Sequence, residues 1–186
     1  MTKPMRADAR RNYQRLVEVA TTAFAEHGAD APLEDIARRA QVGIGTLYRH
    51  FPDREELMAA VFQGELDALV TLAEQLRAEQ PALTALNSWL RAVVAHTTAY
   101  RGLGRSLMAA RAASMGVCQG TLRAAAAELL TGAQQAGQVR ADARVDDLMH
   151  LACAIALAAE RSPQDPRLAD RLLDLAVEGL RTRAEE

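Results

Sequence analysis

The stretch Leu33–Phe51, LEDIARRAQVGIGTLYRHF, constrains this chain more than any other part of it. Leu33, Ile36, Ala37 and Ala40 recur at the spacing of a single helical face, so a first short helix has one side to bury. Gln41-Val42-Gly43 interrupts the pattern, and Gly43 is the residue best suited to the backbone angles of a sharp reversal. Ile44 and Leu47 restart a helical face, leaving Gly45, Thr46, Tyr48, Arg49 and His50 to point outward. Two short helices joined by a tight Gly-containing turn describe a helix-turn-helix.

The remaining sequence fits helices throughout. Apolar residues make up 49% of the 186-residue chain and aromatics 4%, so the interior is built from Leu, Ala and Val. Strong helix formers dominate and no segment shows the alternation of a strand beside a hairpin turn. The expected fold class is all-α: an N-terminal three-helix domain carrying the helix-turn-helix over residues 1–52 and a C-terminal helical domain over residues 53–186.

Net charge is −2 and carries no nucleic-acid signal, but its distribution does. Lys3, Arg6, Arg10, Arg11 and Arg15 face only Asp8 in the first fifteen residues. A basic arm beside a helix-turn-helix can displace counterions from a duplex. Cys118 and Cys153 are the only cysteines, and neither they nor the four His show metal-ligand spacing, so no metal or cofactor is expected. With no apolar leader and no span of membrane length, a soluble cytoplasmic protein is expected. No nucleophile–base pair, carboxylate dyad or phosphate-cradling Gly loop argues for an enzyme.

A first helix is predicted over about Ala9–His27, stopped by Gly28, and Asp30-Ala31-Pro32 opens the next with Pro32 in its first turn. Phe51-Pro52 ends the reading helix, and Asp53 with Glu56 forms a capping box for a long helix reaching Glu79. Further helices are predicted at Leu83–Tyr100, Leu103–Ala113, Cys118–Ala136, Val145–Glu160 and Pro166–Arg183.

This order resembles the TetR family of bacterial transcriptional regulators. The likeness rests on Ala23-Phe24, Gly28, Ile36-Ala37, Ala40, Val42-Gly43, Thr46-Leu47-Tyr48, His50-Phe51 and Leu57, within about residues 9–60. Over residues 80–186 only helix number and length are similar. The resemblance implies that residues 1–52 are a DNA-binding domain and that residues 53–186 serve ligand binding and dimerisation. Members of the family often place Ser or Thr before the first helix of the motif as a cap and phosphate contact; here Ala31-Pro32 stand there, with Asp30 as the alternative cap.

A recognition helix presents its N-terminal residues to base edges in the major groove. Ile44, Gly45, Thr46, Tyr48 and Arg49 are therefore the groove-facing set. Gly45 permits close backbone approach, Thr46 suits a base edge or thymine methyl, and Arg49 suits bidentate reading of guanine, worth about 1–3 kcal/mol of discrimination. Tyr48, His50 and Arg54 are expected on phosphates, with Arg10 and Arg11 adding to the backbone contacts. The family resemblance supports Tyr48 and His50 in that role.

One helix-turn-helix buries too little surface for tight binding, so a homodimer on a palindromic duplex operator is expected. Leu151, Ala152, Ile155, Ala156 and Ala159, with Leu168, Leu172, Leu175, Ala176 and Gly179, supply two apolar helix faces for a four-helix dimer interface. Trp89, His96, Tyr100, Met108, Met115, Cys118 and His150, with Cys153, are candidate lining residues for a small hydrophobic or aromatic effector. The resemblance implies a repressor released when the effector favours a conformer with mis-spaced reading heads, transmitted along the Asp53–Glu79 helix. The alternative is a DNA-bound scaffold that acts through a protein partner.

Overall fold

A computed structural model describes the backbone of residues 3–110 and 112–182, and the side chains of residues 7–100 and 120–182. Eight α-helices account for these residues: α1 (Lys3–His27), α2 (Leu33–Arg39), α3 (Ile44–His50), α4 (Arg54–Glu79), α5 (Ala82–Ala110), α6 (Ala112–Gln135), α7 (Val145–Glu160) and α8 (Leu168–Leu180). A 3-10 turn, Gly28–Asp30, joins α1 to α2. The fold is all-α, and the one isolated β-bridge among the described residues pairs Val139 with Arg181.

The helix ends follow local chemistry. Gly28 stops α1 in the left-handed region at φ +69°. Asp53 caps α4, its Oδ1 accepting from the Glu56 amide at 2.8 Å. Phe51 is extended (φ −132°, ψ 94°), as a residue before proline must be, and ends α3. Pro32, at φ −65° and ψ 125°, is the N-cap of α2 rather than a first-turn residue, and no side chain, Asp30 included, caps that helix.

Two expected breaks are absent. Arg101-Gly102 lies inside α5, and α6 starts at Ala112 rather than Cys118, so the predicted Leu83–Tyr100 and Leu103–Ala113 helices are one. A lone glycine costs a helix only about 1 kcal/mol relative to alanine, which a run of good helix formers overrides. The chain forms two compact units, Met1–Glu65 with Tyr100–Ala112, and Leu66–Ala99 with Ala113–Glu186, so the division differs from the expected one at residue 52. Its reason is that the first turns of α4 bury Leu57, Met58 and Val61 to 0–2% exposure, which gives that stretch to the N-terminal unit.

In the N-terminal unit Leu16, Ala20, Ala23 and Phe24 of α1 are buried with Leu33, Ile36 and Ala37 of α2, Leu47 of α3, and Phe51. Each fully buried Leu, Ile or Phe contributes about 1.5–3 kcal/mol, so this small core fixes α3 by its one inward residue, Leu47. In the second unit Trp89 is fully buried and donates its indole N–H to Leu69 O at 2.8 Å, pinning α5 to α4. Gln138 caps the start of α5 through Leu83 N, which donates to its Oε1 at 3.0 Å, and the end of α8 is tied back by Arg140 N donating to Leu180 O at 2.9 Å. Among the described residues no helix is long and apolar enough to cross a membrane.

Candidate nucleic-acid interface

The turn before α3 is a closed helix C-terminus. Gln41 N donates to Arg38 O at 3.1 Å and Val42 N to Ala37 O at 3.0 Å, a crossed pair that requires a left-handed residue just past the helix. Gln41 takes that conformation, at φ +57°. The sequence points to Gly43 for this role, but Gly43 is extended (φ −68°, ψ 147°) and is the N-cap of α3. Because α2 ends at Arg39, the reversal falls on Gln41, two residues ahead of the glycine. A residue with a β-carbon in this region costs roughly 1–2 kcal/mol. The other two left-handed stops among the described residues, at φ +69° and +67°, are glycines: Gly28 and Gly137.

With Leu47 wholly buried, the opposite side of α3 is left to solvent. Ile44 is 38% and Tyr48 46% exposed, Gly45 and Arg49 are exposed, and Thr46 and His50 are half-buried. Four of these six residues are therefore exposed around one short helix, and a β-carbon at Gly45 would meet no atom within 4 Å. His50 is held edge-on by Tyr13 of α1, ring centroids 6.1 Å apart, and Tyr13 also stacks on Phe51 at 4.9 Å. Tyr13, 40% exposed, went unrecognised in the sequence; its spacing from Leu16 and Ala20 on the α1 face was the available signal.

The described arginines of this unit differ in what holds them. Arg11 pairs with Asp8, Arg38 with Asp35, and Arg39 with Glu26. Arg10, Arg15 and Arg49 have no carboxylate partner among the described residues. Arg54, expected on phosphate, is instead half-buried and donates to Ala29 O at 2.9 Å and Ala31 O at 2.5 Å, where it closes the α1–α2 connection. At the start of α2, exposed Glu34 and half-buried Asp35 suit the helix dipole and oppose a phosphate.

The two C-terminal helices divide their apolar residues between inside and outside. Ala152, Ile155 and Ala156 are 1–4% exposed and belong to the chain's own core, which corrects their expected place on an outer face. A helix that looks apolar all round in sequence has one side already covered by its own unit. Leu151 (40%) and Leu175 (71%) lie outside with Gly179, while Ala159, Leu168, Leu172 and Ala176 are half-buried.

Among the described residues the effector candidates do not line one common cavity. Trp89 is core, its only donor taken by Leu69. His150 is exposed on α7, as is Cys153. His96 is half-buried, and burial holds its imidazole below the usual range. Tyr100 is buried beside Glu65: desolvation raises the Glu65 carboxyl against the opposing hydrogen bond from Tyr100, and desolvation followed by the Glu65 charge raises the phenol. Met108, Met115 and Cys118 lie outside the residues whose side chains are described. A groove of about 400 Å³ runs among α5, the Ser162–Pro166 loop and α8, lined by Val94, Thr98, Pro163, Ala169 and Leu173, and none of those candidates reaches it.

Comparison with known proteins places this geometry. Residues 16–61 match the family profile of bacterial regulatory proteins, tetR family, and residues 80–182 match the C-terminal domain of SbtR-like transcriptional regulators. The chain belongs to the TetR family. A TetR transcriptional regulator from Streptomyces coelicolor is 37% identical, with a TM-score of 0.80 over 92% of this chain and 99% of that one. A TetR regulatory protein from Mycobacterium vanbaalenii is 34% identical, with a TM-score of 0.75 over 96% and 100%. An HTH-type transcriptional regulator of Staphylococcus aureus is 40% identical over 74 residues, which is 39% of this chain and 40% of that relative's length. As a TetR protein the chain is a DNA-binding transcriptional regulator and not an enzyme.

Proposed function

We propose that this TetR regulator binds a palindromic operator as a homodimer and represses transcription until a small hydrophobic or aromatic ligand releases it. The observation that carries the reading is the outer side of α3, where Ile44, Gly45, Tyr48 and Arg49 stand in solvent over a single buried anchor, Leu47. Arg49 reads a guanine edge and Gly45 lets the helix backbone approach the groove. Tyr48 and the Tyr13-braced His50 hold phosphates and set register, with Arg10 as a further backbone contact. Arg11, paired with Asp8, adds charge only when that pair opens.

The partner across the two-fold is a second copy meeting Leu151, Leu168, Leu172, Leu175, Ala176 and Gly179. Leu175 at 71% exposure supports this, since a large apolar side chain so exposed on an amphipathic helix gains by being covered. Because α4 is continuous from its Asp53 cap to Glu79 and has residues in both units, it is the element through which a ligand in the body biases head spacing. Operator and ligand then weaken each other by the same factor, typically about 1–3 kcal/mol.

Genome-wide binding coupled to expression in a deletion strain tests this. Palindromic sites whose adjacent transcription rises on deletion are expected; a fall would mean activation. A thermal-shift screen of hydrophobic and aromatic metabolites, scored for operator release, tests the effector: no hit in a broad library favours the protein-partner scaffold.

A further inference from the structure

The helix-turn-helix turn contains a residue that its own backbone conformation disfavours. Of the three left-handed helix stops among the described residues, two are glycine and the third, at φ +57°, is Gln41. Gly137 closes α6 with the same crossed bonds, Gly137 N to Gln134 O at 2.9 Å and Gln138 N to Ala133 O at 3.0 Å. The same backbone motif is thus made with glycine where only a stop is needed. Strain retained at one copy of a motif points to a use for the side chain.

That side chain has a definite task. Gln41 Oε1 accepts a hydrogen bond from Arg15 Nη2 at 2.7 Å, twenty-six positions away on α1, and both side chains are exposed. An arginine side chain has five N–H donors, and the bond to Gln41 is the one side-chain hydrogen bond that Arg15 makes among the described residues. An amide oxygen fixes an arginine without neutralising it, whereas Arg11, Arg38 and Arg39 are each offset by a carboxylate. Two residues earlier, Tyr13 stacks on Phe51 at 4.9 Å at the far end of α3. Helix α1 thus holds the turn that leads into the reading helix through Arg15, and its far end through Tyr13.

We propose that Gln41 is a positioning residue that holds Arg15 beside the leading end of α3 as a clamp on a DNA phosphate. The proposal rests on α3 being the reading helix and adds a contact that fixes its register. A phosphate contact strengthens binding to any sequence, because it releases condensed counterion without reading a base.

The test compares Gln41→Gly, Gln41→Met, Arg15→Ala and the Gln41→Gly/Arg15→Ala double variant on two duplexes, the mapped operator and a random-sequence DNA, across a salt series. Gln41→Met keeps the β-carbon and length but removes the acceptor, so it separates the hydrogen bond from backbone relief. Gln41→Gly is expected to melt roughly 2–4 °C higher, the shift of a relieved residue in a chain of this size. Both Gln41 variants are expected to bind both duplexes about 3–10-fold more weakly, with a log–log salt slope shallower by up to about 0.9 per half-site. Arg15→Ala should do at least as much, and the double variant no more than Arg15→Ala alone.

Wild-type affinity and slope in both Gln41 variants would overturn the clamp, and so would additive losses in the double variant. Arg49→Ala serves as the control for the reading helix, since it should lose the operator while keeping the random duplex. Where the Gln41 variants bind as wild type, an Arg49→Ala that also binds the operator normally overturns the reading-helix assignment itself, whereas an Arg49→Ala that loses the operator leaves that assignment standing and overturns only the Gln41–Arg15 clamp.

Discussion

The guanidinium of Arg54 lies 2.5 Å from the carbonyl oxygen of Ala31 and 2.9 Å from that of Ala29. Arginine at the start of a helix following a reading head looks in sequence like a phosphate ligand; folded, it ties the α1–α2 connection to α4. Arg54→Ala should therefore lower unfolding free energy in urea by roughly 1.5 kcal/mol, the low end for a charged hydrogen bond because the site is half-buried. At a temperature where the variant is folded, its salt slope on DNA should match wild type. A shallower slope with unchanged stability would return Arg54 to the DNA surface.

Gly45 gives a prediction in which stability and function separate. A β-carbon there meets nothing within 4 Å, so Gly45→Ala should leave the fold intact and stabilise α3 by up to about 1 kcal/mol through helix propensity. Operator affinity should nonetheless fall at least tenfold, because the methyl group occupies the space the DNA needs. Thermal denaturation and gel-shift titration of one preparation check both halves; unaltered affinity would remove Gly45 from the contact surface.

The two C-terminal helices give a paired experiment. Leu151→Glu with Leu175→Glu charges residues that are 40% and 71% exposed, so helicity should survive while light scattering reports a monomer. Ile155→Glu, at a position 4% exposed, should instead unfold the chain by burying an unpaired carboxylate. A stable dimer from the double variant would place the interface elsewhere.

Acid stability depends on His96. Burial lowers its pKa in the folded chain, so below the ordinary histidine value of about 6.5 the unfolded chain takes up the proton first. Its contribution is fully present above that pH and is lost as pH falls through the lowered value. Urea melts between pH 7.5 and 5 should show wild-type stability declining and His96→Gln declining less. Equal slopes would mean His96 is solvated in the folded state.

Legibility from sequence followed a physical divide. Where one residue's own chemistry sets a boundary, the residue could be read directly: Asp53 as the α4 cap, Phe51 before Pro52, and Gly28 at φ +69°. Where competition among neighbours decides, it could not. Gly102 looks like a break but is carried within α5, and Gln41 rather than Gly43 adopts the left-handed turn. The outward side of α3 was legible because Leu47 alone must be buried there. Which apolar residues of α7 and α8 stay outside was not, because Ile155 and Leu175 differ in burial and not in chemistry. The Arg15–Gln41 bond joins positions twenty-six apart and leaves no periodic trace.

The most direct measurement is DNase footprinting of the operator with Arg49→Ala/Tyr48→Phe, run beside circular dichroism and light scattering of the same sample. Protection should vanish at every operator half-site while helicity and subunit mass stay those of wild type. A full footprint from that variant would contradict the assignment of α3 as the helix that reads DNA.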